Sequence, residues 1–184
     1  AYWKLVKDGF LYEREFKPNG LKPLIAFALA SYQILTKSAP LTKLEDLKGM
    51  KIRAAGGAME LTLRSLGAVP VRMGAPDIRE SLLRGTIDGT VGPAGSAKPY
   101  GLDTEVKFMT VGASFGGFVG TYSISQKKWD SLPADVQQAL VAAGEAANNA
   151  ICAIADQQEA AAVTAIEALG AKSWRLSAAE KADL

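Results

Sequence analysis

The chain reads as an α/β protein with largely parallel strands, and three observations predict this. Strand-like and helix-like segments alternate from Met50 to Val91. Glycines stand where the two helices of that run should stop, at Gly67 and Gly85. Apolar residues make up 48 % of the 184, enough for a sizeable globular core. No stretch is long and apolar enough to span a bilayer, and IAFALA, Ile25 to Ala30, falls far short.

Taken in order, Ala1 to Gly9 has helical character with Gly9 as its cap. Leu21 to Leu29 reads as a buried strand and Tyr32 to Thr36 as a second extended piece. Thr42 and Glu45 have the spacing of a capping box, which predicts a short turn over Thr42 to Leu47 that Gly49 ends. Met50 to Ala55 is a strand, Ala58 to Leu66 a helix, and Val69 to Met73 a strand. Pro76 suits the first turn of the next helix, which Gly85 closes. Thr86 to Val91 is another strand, in which Asp88-Gly89 makes a turn with a positive φ at the glycine. Strand, helix, strand, helix, strand in sequence builds a parallel unit.

Lys107 to Val111 and Val119 to Ser125 are extended, with GASFGG between them as a roomy, flexible turn. A long helix follows, capped by Asp130 or Ser131, with Pro133 in its first turn and Gly170 as its stop. A helix of that length is about 50 Å long at 1.5 Å per residue, more than one small lobe needs. Val136, Leu140, Ala147, Ile151, Ile154, Val163, Ile166 and Leu169 mostly keep helical spacing along it.

The ends read as cut. The first residues look like a helix already under way, and Ser177 starts a helix with no stop. The expectation is a fragment lacking an N-terminal region and a short tail. A leader could lie in the missing part, so its absence excludes nothing.

Charge and composition narrow the chemistry. The formal net charge is +2, with no long basic or acidic run, which argues against nucleic acid and anionic membrane as partners. The single cysteine, Cys152, has no partner for an internal disulfide. There is no histidine, which removes the commonest general base and metal ligand. GGAME after a strand lacks both phosphate-loop signatures. The carboxylate pairs Glu13 with Glu15 and Glu45 with Asp46 sit in polar, surface-like contexts. Trp3, Trp129 and Trp174 read as core anchors. Composition and spacing therefore point to a binder rather than a catalyst, with no cofactor and no metal.

One residue stands out. Arg53 ends a strand just before Ala54, Ala55, Gly56 and Gly57 and the following helix, where ligands of α/β units collect. It is either a surface charge or an anion receptor with small neighbours beside it.

The blocks PLTKLEDLKGMKIR, LGAVPVRM, LLRGTIDG and KKWDSLPADVQQAL resemble, in order and spacing, the substrate-binding proteins of tripartite ATP-independent periplasmic (TRAP) transporters. The resemblance covers nearly the whole chain. It implies a two-lobed periplasmic-binding-protein fold that closes on an organic acid and passes it to a membrane permease. A long helix would span both lobes. Residues 1–30 would be a partial first lobe and 31–118 the second lobe with the ligand arginine. Residues 119–155 would return to the first lobe and begin the spanning helix, and 156–184 would hold its second-lobe end and a truncated tail. No direct insertion into the membrane is implied.

In the family the arginine of the Lys-Ile-Arg segment forks onto the ligand carboxylate, and here that residue is Arg53. A guanidinium offers paired donors that match a carboxylate's oxygens. Three positions depart from the family pattern. Gln33 stands where some members carry a second ligand arginine, Ala75 where many carry an aromatic residue, and Gly92 where many carry asparagine. The expectation is a roomier, less polar pocket, better suited to a bulky or aromatic monocarboxylate than to a small dicarboxylate. Phe115 and Phe118, in the glycine-rich turn, are candidates to pack on the ligand or to serve as core. A ligand-sensing domain of the same fold, feeding a kinase or chemoreceptor, is the alternative. An enzyme on the scaffold, or a cytosolic regulator's effector domain, would fit the same fold.

Overall fold

A computed structural model describes residues 2–182. The chain divides into two compact units, Ala1–Leu29 with Phe118–Asp156, and Ala30–Gly117 with Gln157–Leu184.

The first unit opens with α1 (Tyr2–Lys7), a π turn over Tyr12–Phe16 and a short 3₁₀ turn, then β1 (Leu21–Ala28). β1 pairs antiparallel with β7 (Val119–Ser125), with a register irregularity between Pro23 and Ile25, where the proline has no N–H to give the ladder. α4 (Gln126–Asp130) follows, and then α5 (Ala134–Ala168), a helix of 35 residues whose first part lies in this unit. The backbones of α5 and β1 come very close. A Cβ on the buried Gly144 would collide with the Leu24 carbonyl oxygen. One turn on, Asn148 Oδ1 accepts from Ala26 N at 2.8 Å and Asn148 Nδ2 donates to Gly144 O at 2.7 Å.

The second unit is built on a six-stranded sheet of order β4-β3-β5-β2-β6-β8. Its strands are β2 (Gln33–Thr36), β3 (Lys51–Ala54), β4 (Val69–Arg72), β5 (Gly89–Gly92), β6 (Phe108–Val111) and β8 (Lys172–Arg175). The expected parallel unit is there: β3 is parallel to both β4 and β5. The sheet as a whole is mixed, however, because β2 runs antiparallel to β5 and β6. Strand alternation sends Ile34 and Leu35 to opposite faces, each with its own core. One core gathers Ile34, Ile52, Ala54, Val91 and Leu63 of α2 (Gly57–Ser65). The other gathers Leu35, Met109, Ile166 of α5, and Ile78 and Leu82 of α3 (Ile78–Arg84). α2 and α3 thus cover opposite faces of the sheet. The chain leaves β3 toward one face and β4 toward the other, and it is beyond the carboxyl ends of such a strand pair that open α/β sheets place their ligands.

Several local expectations need correction. The carboxylate that serves the Thr42 turn is Asp46, not Glu45. It accepts from Thr42 N and Oγ1, both at 2.8 Å, and these donors lower its pKa. Gly89 does not have a positive φ. A Cβ there would run into Leu35 O and the Thr36 methyl, so close packing of β5 on β2 is what requires the glycine. Asp88 Oδ2 accepts from Lys51 N at 2.7 Å and ties β5 to β3. Asp130 and Ser131 do not start the long helix. They close α4, whose cap is Ser125, and α5 begins after Pro133. β8, α4 and the π turn had no counterpart in the sequence reading. The long helix's apolar stripe is only partly buried: Ile166 is inside, while Ile154 and Leu169 are exposed. At the chain end, α6 (Ala178–Ala182) carries a reciprocal cap, with Ser177 N donating to Glu180 Oε2 and Glu180 N to Ser177 Oγ.

Candidate functional site

Arg53 is the third residue of the four-residue β3. Its neighbours Ile52 and Ala54 are fully buried on one face, so alternation turns Arg53 to the other. At the strand end it reaches toward the end of β4, and its Nε donates to Met73 O, just past β4, at 3.1 Å. It is partly buried. Burial pushes its pKa below the ordinary value, and the Tyr32 and Tyr100 phenols act in the opposite direction. Tyr32 is itself buried, which raises its pKa, while the Arg53 charge opposes that rise. A guanidinium stays charged at any ordinary pH. Among the described residues no carboxylate lies within 4.0 Å of Arg53, and its terminal nitrogens are not among the buried atoms without a partner. The charge is held in place by one backbone carbonyl and offers its outer nitrogens to solvent.

Burial and bonding set apart the other candidates. Gln33 is buried and fully engaged inside the protein. Its Nε2 donates to Ser31 O at 3.1 Å and Ala113 O at 2.7 Å, and its Oε1 accepts from Thr110 Oγ1 at 3.1 Å and Ala113 N at 3.3 Å. Both of its N–H groups and its oxygen are occupied, so it joins β2 to β6 and has no donor left for a ligand. Phe115 is 1 % exposed and lies in a core cluster. The turn that holds it is not loose: Phe115 N donates to Tyr32 O and Tyr32 N to Gly116 O, both at 3.0 Å. Phe118 belongs to the first unit, where it is exposed and stands 6.4 Å from the Phe27 ring. Ala75 opens the 3₁₀ turn after β4 and packs on the second core. Gly92 ends β5, and a Cβ there would meet open space.

The sequence reading missed the Met73 carbonyl, because a backbone carbonyl carries no residue signature.

The profile of the bacterial extracellular solute-binding proteins, family 7, matches residues 4–184. The chain belongs to that family. It is 30 % identical over 161 residues to the C4-dicarboxylate-binding periplasmic protein DctP of Rhodobacter capsulatus, a match covering 86 % of this chain and 48 % of the relative. Two solved TRAP periplasmic solute-binding proteins share the fold. One, from Bordetella bronchiseptica with bound mandelate, has a TM-score of 0.85 at 24 % identity, covering 98 % of this chain and 57 % of that one. The other, from Rhodoferax ferrireducens with bound malonate, has a TM-score of 0.86 at 22 % identity, covering 99 % and 58 %. The family 7 chain therefore spans about half the length of the relatives it matches. Its family is one of periplasmic receptors rather than enzymes, and among the described residues no helix is long and apolar enough to cross a membrane.

Proposed function

We propose that this chain is the ligand-arginine portion of a periplasmic receptor that binds an organic acid and hands it to a TRAP permease. One observation carries the reading: Arg53 is a partly buried cation at the carboxyl ends of β3 and β4, with no carboxylate partner among the described residues. Removing a charge from water without a counter-ion is unfavourable. A ligand carboxylate would supply the missing anion through paired charge-assisted hydrogen bonds. The Met73 carbonyl holds Nε, so the guanidinium is oriented before the ligand arrives. Binding would favour the closed form of the two-lobed receptor.

The acid we favour has one carboxylate and an apolar or aromatic body. Gln33 brings no second charge and has no donor to spare. Gly92 leaves space where a larger side chain would fill it. The solved relative with bound mandelate lends this support, while the C4-dicarboxylate relative and the malonate-bound structure favour a smaller diacid.

A thermal-shift screen of the full-length receptor against malonate, succinate, mandelate and benzoate tests the proposal. A ligand at about a hundred times its dissociation constant adds roughly 2.7 kcal/mol, a visible rise in Tm. We expect a shift with one acid class, abolished in Arg53→Ala and reduced in Arg53→Lys, which keeps charge but loses the fork. A shift that survives Arg53→Ala would rule the anchor out. Tighter binding of malonate or succinate than of mandelate or benzoate would rule out the monocarboxylate preference.

A further inference from the structure

Several arginines have partners within the protein. Arg79, Arg84 and Arg175 pair with Glu105, Glu80 and Glu167, and Arg14 stands over the Phe10 ring. Among the described residues, Arg53, Arg64 and Arg72 have no carboxylate within 4.0 Å. Arg64 is exposed on α2. The other two stand at the carboxyl ends of neighbouring parallel strands.

Arg72 is the last residue of β4 and pairs with Ala54, the last residue of β3. Its guanidinium lies on the loop that follows β3. A Cβ on Gly56 would stand 3.6 Å from Arg72 Nη2, 3.7 Å from Nε and 3.8 Å from Cζ. Gly56 has a φ of +146°, which glycine adopts far more readily than other residues, and it has no side chain to bond the guanidinium or push it away. A Cβ on the next residue, Gly57, would meet open space. The two arginines therefore cross. Arg53 of β3 bonds to the residue after β4, and Arg72 of β4 lies on the loop after β3. Alternation along the paired strands brings them there from opposite faces. Both contacts lie beyond the carboxyl ends of one strand pair, where open α/β sheets hold their ligands.

We infer that Arg72 is a specificity-determining residue of the acid site: Arg53 takes the carboxylate, and Arg72 donates to an oxygen borne on the neighbouring carbon. The inference rests on the carboxylate-receptor reading above and names the acid as a monocarboxylate with a hydroxyl or oxo group beside its carboxylate. Adjacent strands lie about 4.8 Å apart, so one small acid spans their ends. A guanidinium presents its donors in a fixed fork, and no protein carboxylate occupies those of Arg72. An acid whose body is only hydrocarbon leaves them to water. An acid with an oxygen on the next carbon engages them.

The test titrates the full-length receptor by calorimetry with mandelate, phenylglyoxylate and phenylacetate. These acids share a skeleton and differ only in the hydroxyl, oxo group or hydrogens on the carbon next to the carboxylate. Malonate and succinate serve as diacids, and Arg72→Ala, Arg72→Lys and Arg53→Ala are compared with wild type. Wild type should bind mandelate or phenylglyoxylate about tenfold more tightly than phenylacetate, the order of one hydrogen bond to a charged group. Arg72→Ala should bring that ratio close to one. Arg72→Lys, which keeps a charge without the fork, should retain part of it, and decides the matter if the alanine variant does not fold. Arg53→Ala should abolish binding of all three. Equal losses for the oxygenated acids and phenylacetate in Arg72→Ala would reduce Arg72 to a long-range charge and overturn the inference, as would an unchanged ratio. A diacid that loses more than mandelate would assign Arg72 to a second carboxylate and overturn the hydroxy- or oxo-acid class. In each of these cases the receptor reading stands if Arg53→Ala still abolishes binding. A wild-type receptor that binds none of the acids would overturn that reading, and this inference with it.

Discussion

Arg53 and Gln33 both carry polar groups on strands of the same sheet, yet they do opposite things. Arg53 sits at a strand end and gives one donor to Met73 O. Gln33 sits between β5 and β6 and spends its whole amide inside. Gln33→Leu should therefore act on stability rather than on ligand recognition. It would strand the buried Ala113 carbonyl and amide, and each buried group left without a partner costs about 1–3 kcal/mol. A lower urea midpoint, with acid affinity near wild type in the folded protein, is the expected result. A large loss of affinity at unchanged stability would return Gln33 to the ligand site. Gln33 and Phe115 look like ligand candidates in the sequence because a side chain's type does not say how deep it lies.

At the scale of elements, α5 and β1 of the first unit meet backbone to backbone at one point. Gly144 lets the helix backbone rest against Leu24, and Asn148 bonds to the edge of the same strand. Gly144→Ala has nowhere to place its methyl, because the obstacle is backbone and cannot rotate away. Overpacking of this kind costs about 1–3 kcal/mol, against a gain of at most about 1 kcal/mol in helix propensity. Chemical denaturation should show net destabilisation, with faster amide exchange in β1. An alanine variant as stable as wild type would mean that the two elements slide apart without penalty. The sequence shows Gly144 only as an interruption in a helix. Its purpose belongs to a strand more than a hundred residues away, as the Ala26–Asn148 bond makes plain.

For the whole chain, buried apolar residues are unevenly shared. Both core clusters lie in the second unit. Leu5, Phe10, Tyr122 and Val141 of the first unit are exposed. Local stability follows buried apolar contact. In the 184-residue chain, amides of β1 and β7 should exchange at lower denaturant than those of β2, β3 and β6. Equal protection throughout would show that the two units unfold as one.

The sequence by itself determined the order and kind of most elements, because periodicity, glycine stops and proline starts act over a few residues. It also marked Arg53, since a cation followed by four small residues at a strand end is a local pattern. Only the tertiary structure decided the rest. It put β2 antiparallel between β5 and β6, gave Gly89 its reason in close packing, and sent Phe115 inward. It also brought Glu159 to the Ala94 and Gly95 amides. Each of these depends on pairing between distant segments, and strand order, burial and a partner's carbonyl leave no trace in neighbouring residues.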